Sequence, residues 1–393
     1  MIEIKNLDVI FGDKPDAALA LLDQGSNREQ ILEKTGQVLG VKGASLKVER
    51  GEICVLMGLS GSGKSSLLRC VNGLNPISRG EVNIEYQGKM INFAEADATT
   101  QRELRMKTIS MVFQKFALMP WLSVAENVSM PLELQGMDKK EIKSRVQQQL
   151  DIVGLTEWAE HKPGQLSGGM QQRVGLARAL ASESDILLMD EPFSALDPLI
   201  RSQLQDELLQ LQKQLNKTII FVSHDLDEAL KIGNHIAIMK DGEIVQHGNP
   251  QDIVMNPAND YVREFVAHTN PMNVLLAKDL MRSLAELEQT DKGFRLSKRH
   301  DYWLSADKNA IIYRDQETPL QKQTIQKTPE GQNNFIYAAT GTIVSADTSM
   351  REVLEIRYET DHAVFIEENN KIVGFIGDRE LFHSLLGKML DND

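Results

Sequence analysis

Short continuous apolar runs, separated by stretches with helical spacing, set the pattern of this chain. Ile53 to Met57, Asp185 to Met189 and Thr218 to Val222 are such runs, each of strand length, as expected of parallel strands covered on both faces. Residues 2 to 11 alternate more loosely and predict a first strand. Pro15 and Asp16 then open a short apolar helix, Ala17 to Leu22, closed by Gly25. Ser26 followed by Glu29 reads as a capping box for a second short helix that stops at Gly36. These two helices form an insertion ahead of the strand predicted over Ala44 to Glu52. Helical spacing returns over Lys64 to Val71 and Lys139 to Val153, Ser167 precedes another helix, and Asp197 caps one that Pro198 opens. His235 to Met239 and Glu243 to Gln246 flank Asp241-Gly242, a hairpin signal. The alternation predicts an α/β core with a helical subdomain over about 131–182. Pro257, Asn259 and Asn270-Pro271 punctuate the chain, and a boundary near residue 270 gives domains of 1–270 and 271–393.

The 393 residues suffice for two or three domains with cores of their own. A net charge of −13, with acidic residues spread along the chain, argues against a nucleic-acid partner, which needs a basic footprint. The two cysteines, Cys54 and Cys70, suit a reducing compartment better than a disulfide or a metal site. No stretch approaches the length of an apolar membrane span, and the opening MIEIKNLDVIFGDK lacks a basic segment followed by an apolar core. Any membrane role is therefore expected to run through a partner.

Candidate chemistry is concentrated between residues 58 and 224. In order come GLSGSGKS (Gly58 to Ser65), Gln114, LSGGMQQR (Leu166 to Arg173), ILLMDEP (Ile186 to Pro192), SALD (Ser194 to Asp197) and His224. In the first, Gly58, Gly61 and Gly63 let the backbone approach a phosphate, while the following helix presents its positive end. Lys64 is expected to reach the β and γ phosphates of ATP and Ser65 to ligate Mg2+; Ser60, Ser62 and Ser66 belong to the same ATP-binding set. A glycine turn with no ligand is the bland alternative, and the downstream elements argue against it. Asp190 ends a buried strand, where a carboxylate holds Mg2+ through a water, and Glu191 is placed to orient and deprotonate an attacking water. An ordinary cluster of strand-end carboxylates is the alternative for that pair. Gln114 and His224 are uninformative alone, but each follows an apolar segment and is placed to meet the γ-phosphate or its Mg2+, Gln114 as a metal ligand beside Ser65 and Asp190. Ser167, with Gly168 and Gly169 in the first turn of its helix, makes a second anion site. A single domain already has its phosphate loop, so this outward site predicts two copies meeting head to tail, each offering Ser167, Gly168 and Gly169 to the other's nucleotide.

On these residues, positions 1 to about 265 resemble the ATP-binding cassette ATPase family. The resemblance implies a P-loop core with an antiparallel β subdomain and a helical subdomain. It makes Gly58 to Ser65 the Walker A loop, Gln114 the Q-loop glutamine, Leu166 to Gln171 the signature, Asp190 and Glu191 the Walker B pair, Ser194 to Asp197 the D-loop, with Asp197 in the ATP-binding set, and His224 the switch histidine. Phe11 takes the place of an aromatic that stacks on adenine, a core position being its alternative. Within the family the chain is similar to ATPase subunits of bacterial glycine betaine, proline betaine and choline importers. The two-helix insertion with ILEKTG (Ile31 to Gly36), VLMGLSGSGKSSLLRCVNGL, FSALDPLIR, SHDLDEAL and PANDYVREFV carry that likeness. Phe116 to Val128, FALMPWLSVAENV, looks like the surface that receives a permease's cytoplasmic coupling helix; Leu118, Met119 and Trp121 are read as partner contacts, with core as the alternative.

Beyond residue 270, Asp347 is expected to cap a helix from Ser349 to Ile356. A strand His362 to Glu367, a turn at Asn369-Asn370, a strand Lys371 to Ile376 and a helix from Arg379 follow. GFIGDREL (Gly374 to Leu381) is similar to the end of a CBS repeat, which implies a smaller α+β regulatory domain. Gly377 stands where that motif usually has a Thr or Ser hydroxyl. Residues 275 to 335 show no partner repeat, although NVLLAKDLM (Asn273 to Met281) reads as a degenerate start. A dimerisation or packing appendage without ligand is the alternative.

The resemblance implies an ATPase that uses ATP and Mg2+ and works as a homodimer. Its implied partners are an integral membrane permease and an extracytoplasmic solute-binding protein, and its implied place is the cytoplasmic side of the bacterial inner membrane. The cargo it implies is choline or glycine betaine. An amino-acid or other small-solute importer ATPase, and a soluble ABC ATPase outside transport, are the competing readings.

Overall fold

The computed structural model describes residues 1–385 except 115, 195, 268, 271–273, 298–299, 323, 328–332 and 337–339. The chain divides into two compact units, Met1–Ile253 with Pro257–Val266, and Val254–Asn256 with Ala267–Asp393. The elements up to residue 134 are β1 (Ile2–Phe11), α1 (Pro15–Asp23), α2 (Arg28–Thr35), β2 (Val38–Val48), β3 (Ile53–Met57), α3 (Lys64–Val71), β4 (Arg79–Tyr86), β5 (Lys89–Asn92), α4 (Ala98–Glu103), β6 (Ile109–Val112) and α5 (Val124–Leu134). There follow α6 (Lys139–Ile152), α7 (Gly168–Ala181), β7 (Ile186–Asp190), α8 (Pro198–Leu215), β8 (Thr218–Val222), α9 (Leu226–Ile232), β9 (His235–Lys240), β10 (Glu243–Gly248), α10 (Pro250–Met255) and α11 (Asp260–Val266).

The fold is mixed α/β. One sheet has the order β10-β9-β3-β8-β7-β6, in which β9, β3, β8, β7 and β6 run parallel and β10 returns antiparallel through the turn at Asp241 and Gly242. The continuous apolar runs are its central strands, and every residue of β3, β7 and β8 is buried. A four-stranded antiparallel sheet, β2-β1-β4-β5, supplies Ile2, Ile4, Leu7 and Val9 to the same core as Leu56, Leu188 and Val222. Helices α5, α6 and α7 pack on one another. Among the described residues no helix is long and apolar enough to cross a membrane.

Two local expectations are corrected. The capping box of α2 is Asn27 with Gln30, not Ser26 with Glu29: Asn27 accepts from the Gln30 N–H at 2.9 Å and donates its own N–H to Gln30 Oε1 at 3.0 Å. The Ser26 N–H is already committed to the Leu21 carbonyl at the end of α1 (3.0 Å), so the cap moves one residue on. The second strand starts at Val38 rather than Ala44 and ends at Val48, because β1 is long and pairs with it from Ile2 opposite Val48 to Phe11 opposite Val38.

In the second unit, strands Arg282–Ser283, Lys371–Ile376, Val364–Glu368, Thr342–Ser345 and Gln321–Lys322 form one sheet in that order. Helix Met350–Thr360 connects two of its parallel strands and Asp378–Leu385 follows the last. The helix cap is Ser349, whose hydroxyl accepts from the Glu352 N–H (3.3 Å), whereas Asp347 pairs with Lys278 (2.6 Å). Residues Gln289–Pro319 form a separate five-stranded antiparallel sheet with no helix between its strands among the described residues. Of NVLLAKDLM, Asn273 lies outside the described residues, and Ala277–Leu280 is a short helix.

Cys54 and Cys70 are free and buried, at 1 % and 0 % exposure, and burial pushes both thiols up to about 12. Neither thiol is expected to react with a disulfide reagent at pH 8 in the native protein, and both should react in guanidinium; native labelling of either would contradict this packing.

Candidate functional site

A parallel sheet places the ends of neighbouring strands along one edge, where ligands of open α/β sheets bind. Here β3 ends at Met57 and leads into the glycine loop, β8 ends at Val222 two residues before His224, β7 ends at Asp190, and β6 ends at Val112 two residues before Gln114. Since the order is β3-β8-β7-β6, residues far apart in sequence converge. A cavity of about 470 Å3 is lined by Phe11, Arg28, Gly40, Ser60, Gly61, Gly63, Lys64, Ser65, Ser66, Gln114, Glu191 and His224.

The loop from Gly58 to Gly63 needs its glycines for two reasons. A Cβ on Gly58 would stand 2.2 Å from the Met239 carbonyl, and one on Gly63 2.5 Å from the Gly40 carbonyl. Gly61 instead has φ +78° with open space beside it, as a backbone meant to meet an anion requires. The hairpin turn buttresses the loop: the Gly242 N–H donates to the Ser62 carbonyl at 3.0 Å. Ser62 itself is buried, with its hydroxyl unpartnered, so its contribution is backbone shape. Lys64 Nζ folds back to donate to the carbonyls of Gly58 (2.8 Å) and Leu59 (3.1 Å). Burial lowers its pKa from the ordinary value, and the charges of Glu191 and Asp190 oppose that shift.

Ser65 Oγ donates to Asp190 Oδ1 at 2.7 Å, and Arg69 Nη2 to Asp190 Oδ2 at 2.9 Å. Gln114 Nε2 donates to Glu191 Oε2 at 2.9 Å, and His224 Nδ1 lies 3.6 Å from the same oxygen. Glu191 holds φ +46°, a left-handed backbone that a residue adopts only when its surroundings demand it. The His224 turn is fixed from behind, where Ser223 Oγ accepts from the Asp225 N–H (2.9 Å) and Arg201 pairs with Asp225 (3.0 Å). Ser65 Oγ, the Asp190 carboxylate and the Gln114 amide oxygen are hard donors, few enough to leave room for water and phosphate. That set fits a small divalent cation.

Ser167, Gly168, Gly169 and Asp197 do not line this cavity. Ser167 caps α7 by accepting from the Met170 N–H (3.3 Å), and Asp197 caps α8 by accepting from the Ile200 N–H (3.1 Å); Ala195, between them, is outside the described residues. Along Phe116–Val128, Trp121 is 67 % exposed, Leu118 and Met119 are half-buried, and Val124 and Val128 are core.

Several residues of consequence escaped the sequence. Arg178, buried in α7, donates to the carbonyls of Ala117 and Phe116, both at 2.7 Å, where both residues have left-handed backbones (φ 47° and 56°). Asn127, fully buried, accepts from the Met119 N–H at 2.8 Å and donates to the Ser123 carbonyl at 2.8 Å. Charged or amide side chains on buried helix faces were the available signal. Arg28 and Arg69 carried none, since each reads as a surface cation.

The ABC transporter family model matches residues 41–194. The chain is 53 % identical over 281 residues to the glycine betaine/proline betaine transport system ATP-binding protein ProV of Escherichia coli, covering 72 % of this chain and 69 % of that one. It is 40 % identical to the glycine betaine/carnitine transport ATP-binding protein GbuA of Listeria monocytogenes, covering 95 % of each. Among solved structures, the dimeric post-hydrolysis state of the ATP-binding cassette MJ0796 bound to ADP and Pi matches with a TM-score of 0.54 at 31 % identity, over 64 % of this chain and 99 % of that one.

Arg178→Ala is expected to leave the Phe116 and Ala117 carbonyls unpaired and lower unfolding stability by about 2 kcal/mol in urea titration. An unchanged midpoint would show that Arg178 does not hold the loop.

Proposed function

This chain belongs to the ABC transporter family, and we propose that it is the ATP-hydrolysing subunit of an importer for a quaternary ammonium solute, choline or glycine betaine. The observation that carries the reading is the convergence of Ser65 with Asp190, and of Gln114 with Glu191 and His224, beside one glycine loop. The names of relatives that match along most of the chain support the cargo class.

ATP is the substrate, with its phosphates on the Gly58–Ser66 loop and at the N-terminus of α3, and its adenine against Phe11. Lys64 turns from the Gly58 and Leu59 carbonyls to the phosphate oxygens. Ser65, Asp190 and Gln114 would hold Mg2+, which when bound neutralises developing charge on the phosphates. Glu191 orients a water and takes its proton as the oxygen attacks the γ-phosphorus and ADP leaves. Gln114 and His224, both already directed at Glu191, hold that carboxylate and sense the γ-phosphate. Ser167, Gly168, Gly169 and the Asp197 turn serve the nucleotide of a second copy in a head-to-tail homodimer. That they do not line their own chain's cavity, and the dimeric state of a related cassette, support this.

The Phe116–Val128 segment is the surface for an integral membrane permease, with exposed Trp121 at its tip, and Arg178 and Asn127 set its shape for the coupling. The subunit then sits peripherally on the cytoplasmic side of the bacterial inner membrane, and an extracytoplasmic binding protein completes the system. We assign residues 1–270 to the ATPase and 271–393 to a CBS-like regulatory domain.

Glu191→Gln is expected to bind ATP and lower turnover by about 10²- to 10⁴-fold; undiminished turnover would remove Glu191 from the role of base. Co-reconstituted in vesicles with its permease and binding protein, the wild type should be stimulated by choline or glycine betaine but not by proline. Stimulation by an amino acid alone would change the cargo. Removal of residues 271–393 should leave basal ATP hydrolysis intact, and joint loss of folding and activity would contradict a separate domain.

A further inference from the structure

The two-helix insertion is more than a family marker, because it brings a cation to the phosphate loop. Helices α1 and α2 are seated on the antiparallel sheet by a small core of their own, Ile10, Ala18, Leu22, Ile31 and Leu39. Asp23, the last residue of α1, pairs with Arg79 of β4 at 2.9 Å, and the Asn27–Gln30 box fixes the start of α2. Arg28, the first residue of α2, is thereby held on a rigid platform and not on a loose loop. Its guanidinium Nη1 donates to the Gly61 carbonyl at 2.7 Å, and its side chain lines the same cavity as Gly61, Gly63 and Lys64.

Among the described residues Arg28 makes no ion pair with a carboxylate. A guanidinium has five N–H donors in a planar fork suited to phosphate oxygens, and one of them is used here. An uncompensated cation fixed at the lip of an anion-binding backbone loop has an obvious counter-ion in a bound polyphosphate. We propose that Arg28 is a further phosphate-binding residue, through which the insertion adds a charge-assisted contact to the bound nucleotide. This rests on the nucleotide reading of the cavity given above.

The test is calorimetric binding of ADP, ATP and inorganic tripolyphosphate to the full chain at low and high salt, for wild type, Arg28→Gln and Arg28→Lys. Gln keeps a polar amide but has no charge, while Lys keeps the charge. A phosphate contact predicts that Arg28→Gln weakens all three ligands by about tenfold at low salt and flattens the salt dependence, and that Arg28→Lys restores part of both. Binding by Arg28→Gln within about twofold of wild type would overturn the proposal. So would a loss for ADP and ATP without one for tripolyphosphate, which would make Arg28 a base or ribose contact, and so would an Arg28→Lys variant no better than Gln. Wild type that binds none of the three would overturn the nucleotide reading itself, and this contact with it.

Discussion

A carboxylate that is 1 % exposed at the end of a central strand needs partners, and the partners of Asp190 organise the site. Ser65 and Arg69, one turn apart on α3, each contact one of its oxygens. The helix that follows the glycine loop is thus tied to the strand that ends at Asp190 and leads into Glu191. Because β7 lies two strands from β3 in the sheet, this tie spans β8 and sets His224 between the two. The geometry of the loop, the strand end and the histidine turn all depend on that buried charge being satisfied.

Around this tie the backbone is held in forms it would not choose. Glu191, Phe116 and Ala117 all have positive φ, and each is stabilised by something distant in sequence. Glu191 donates its N–H to the Val222 carbonyl (3.1 Å), and the carbonyls of Phe116 and Ala117 rest on Arg178. The same α7 that carries Arg178 is capped by Ser167. A displacement of that helix therefore reaches both the segment proposed to face a permease and the turn proposed to face a second nucleotide. The second unit has its own cores, one built on Leu275, Val353, Ile366 and Ile376, the other on Leu304, Phe365 and Phe375.

The continuous apolar runs and the ordered motifs determined, by themselves, that there would be a buried parallel sheet, a glycine loop ahead of α3 and carboxylates at the end of β7. Those readings hold because strand burial and loop chemistry are local: a run such as Ile53 to Met57 has one stable use, and Gly58 and Gly63 leave no room for side chains. Local competition decided the details the sequence misplaced. The cap of α2 went to Asn27 because Ser26 was already bonded to α1, and the later cap to Ser349 because Asp347 pairs with Lys278. Only the tertiary structure decided that Arg69 would meet Asp190, that Arg178 would hold two strained carbonyls, and that Arg28 would reach Gly61. An arginine's partner is set by which elements pack together over tens of residues of separation, and no spacing rule along one chain encodes that distance in space.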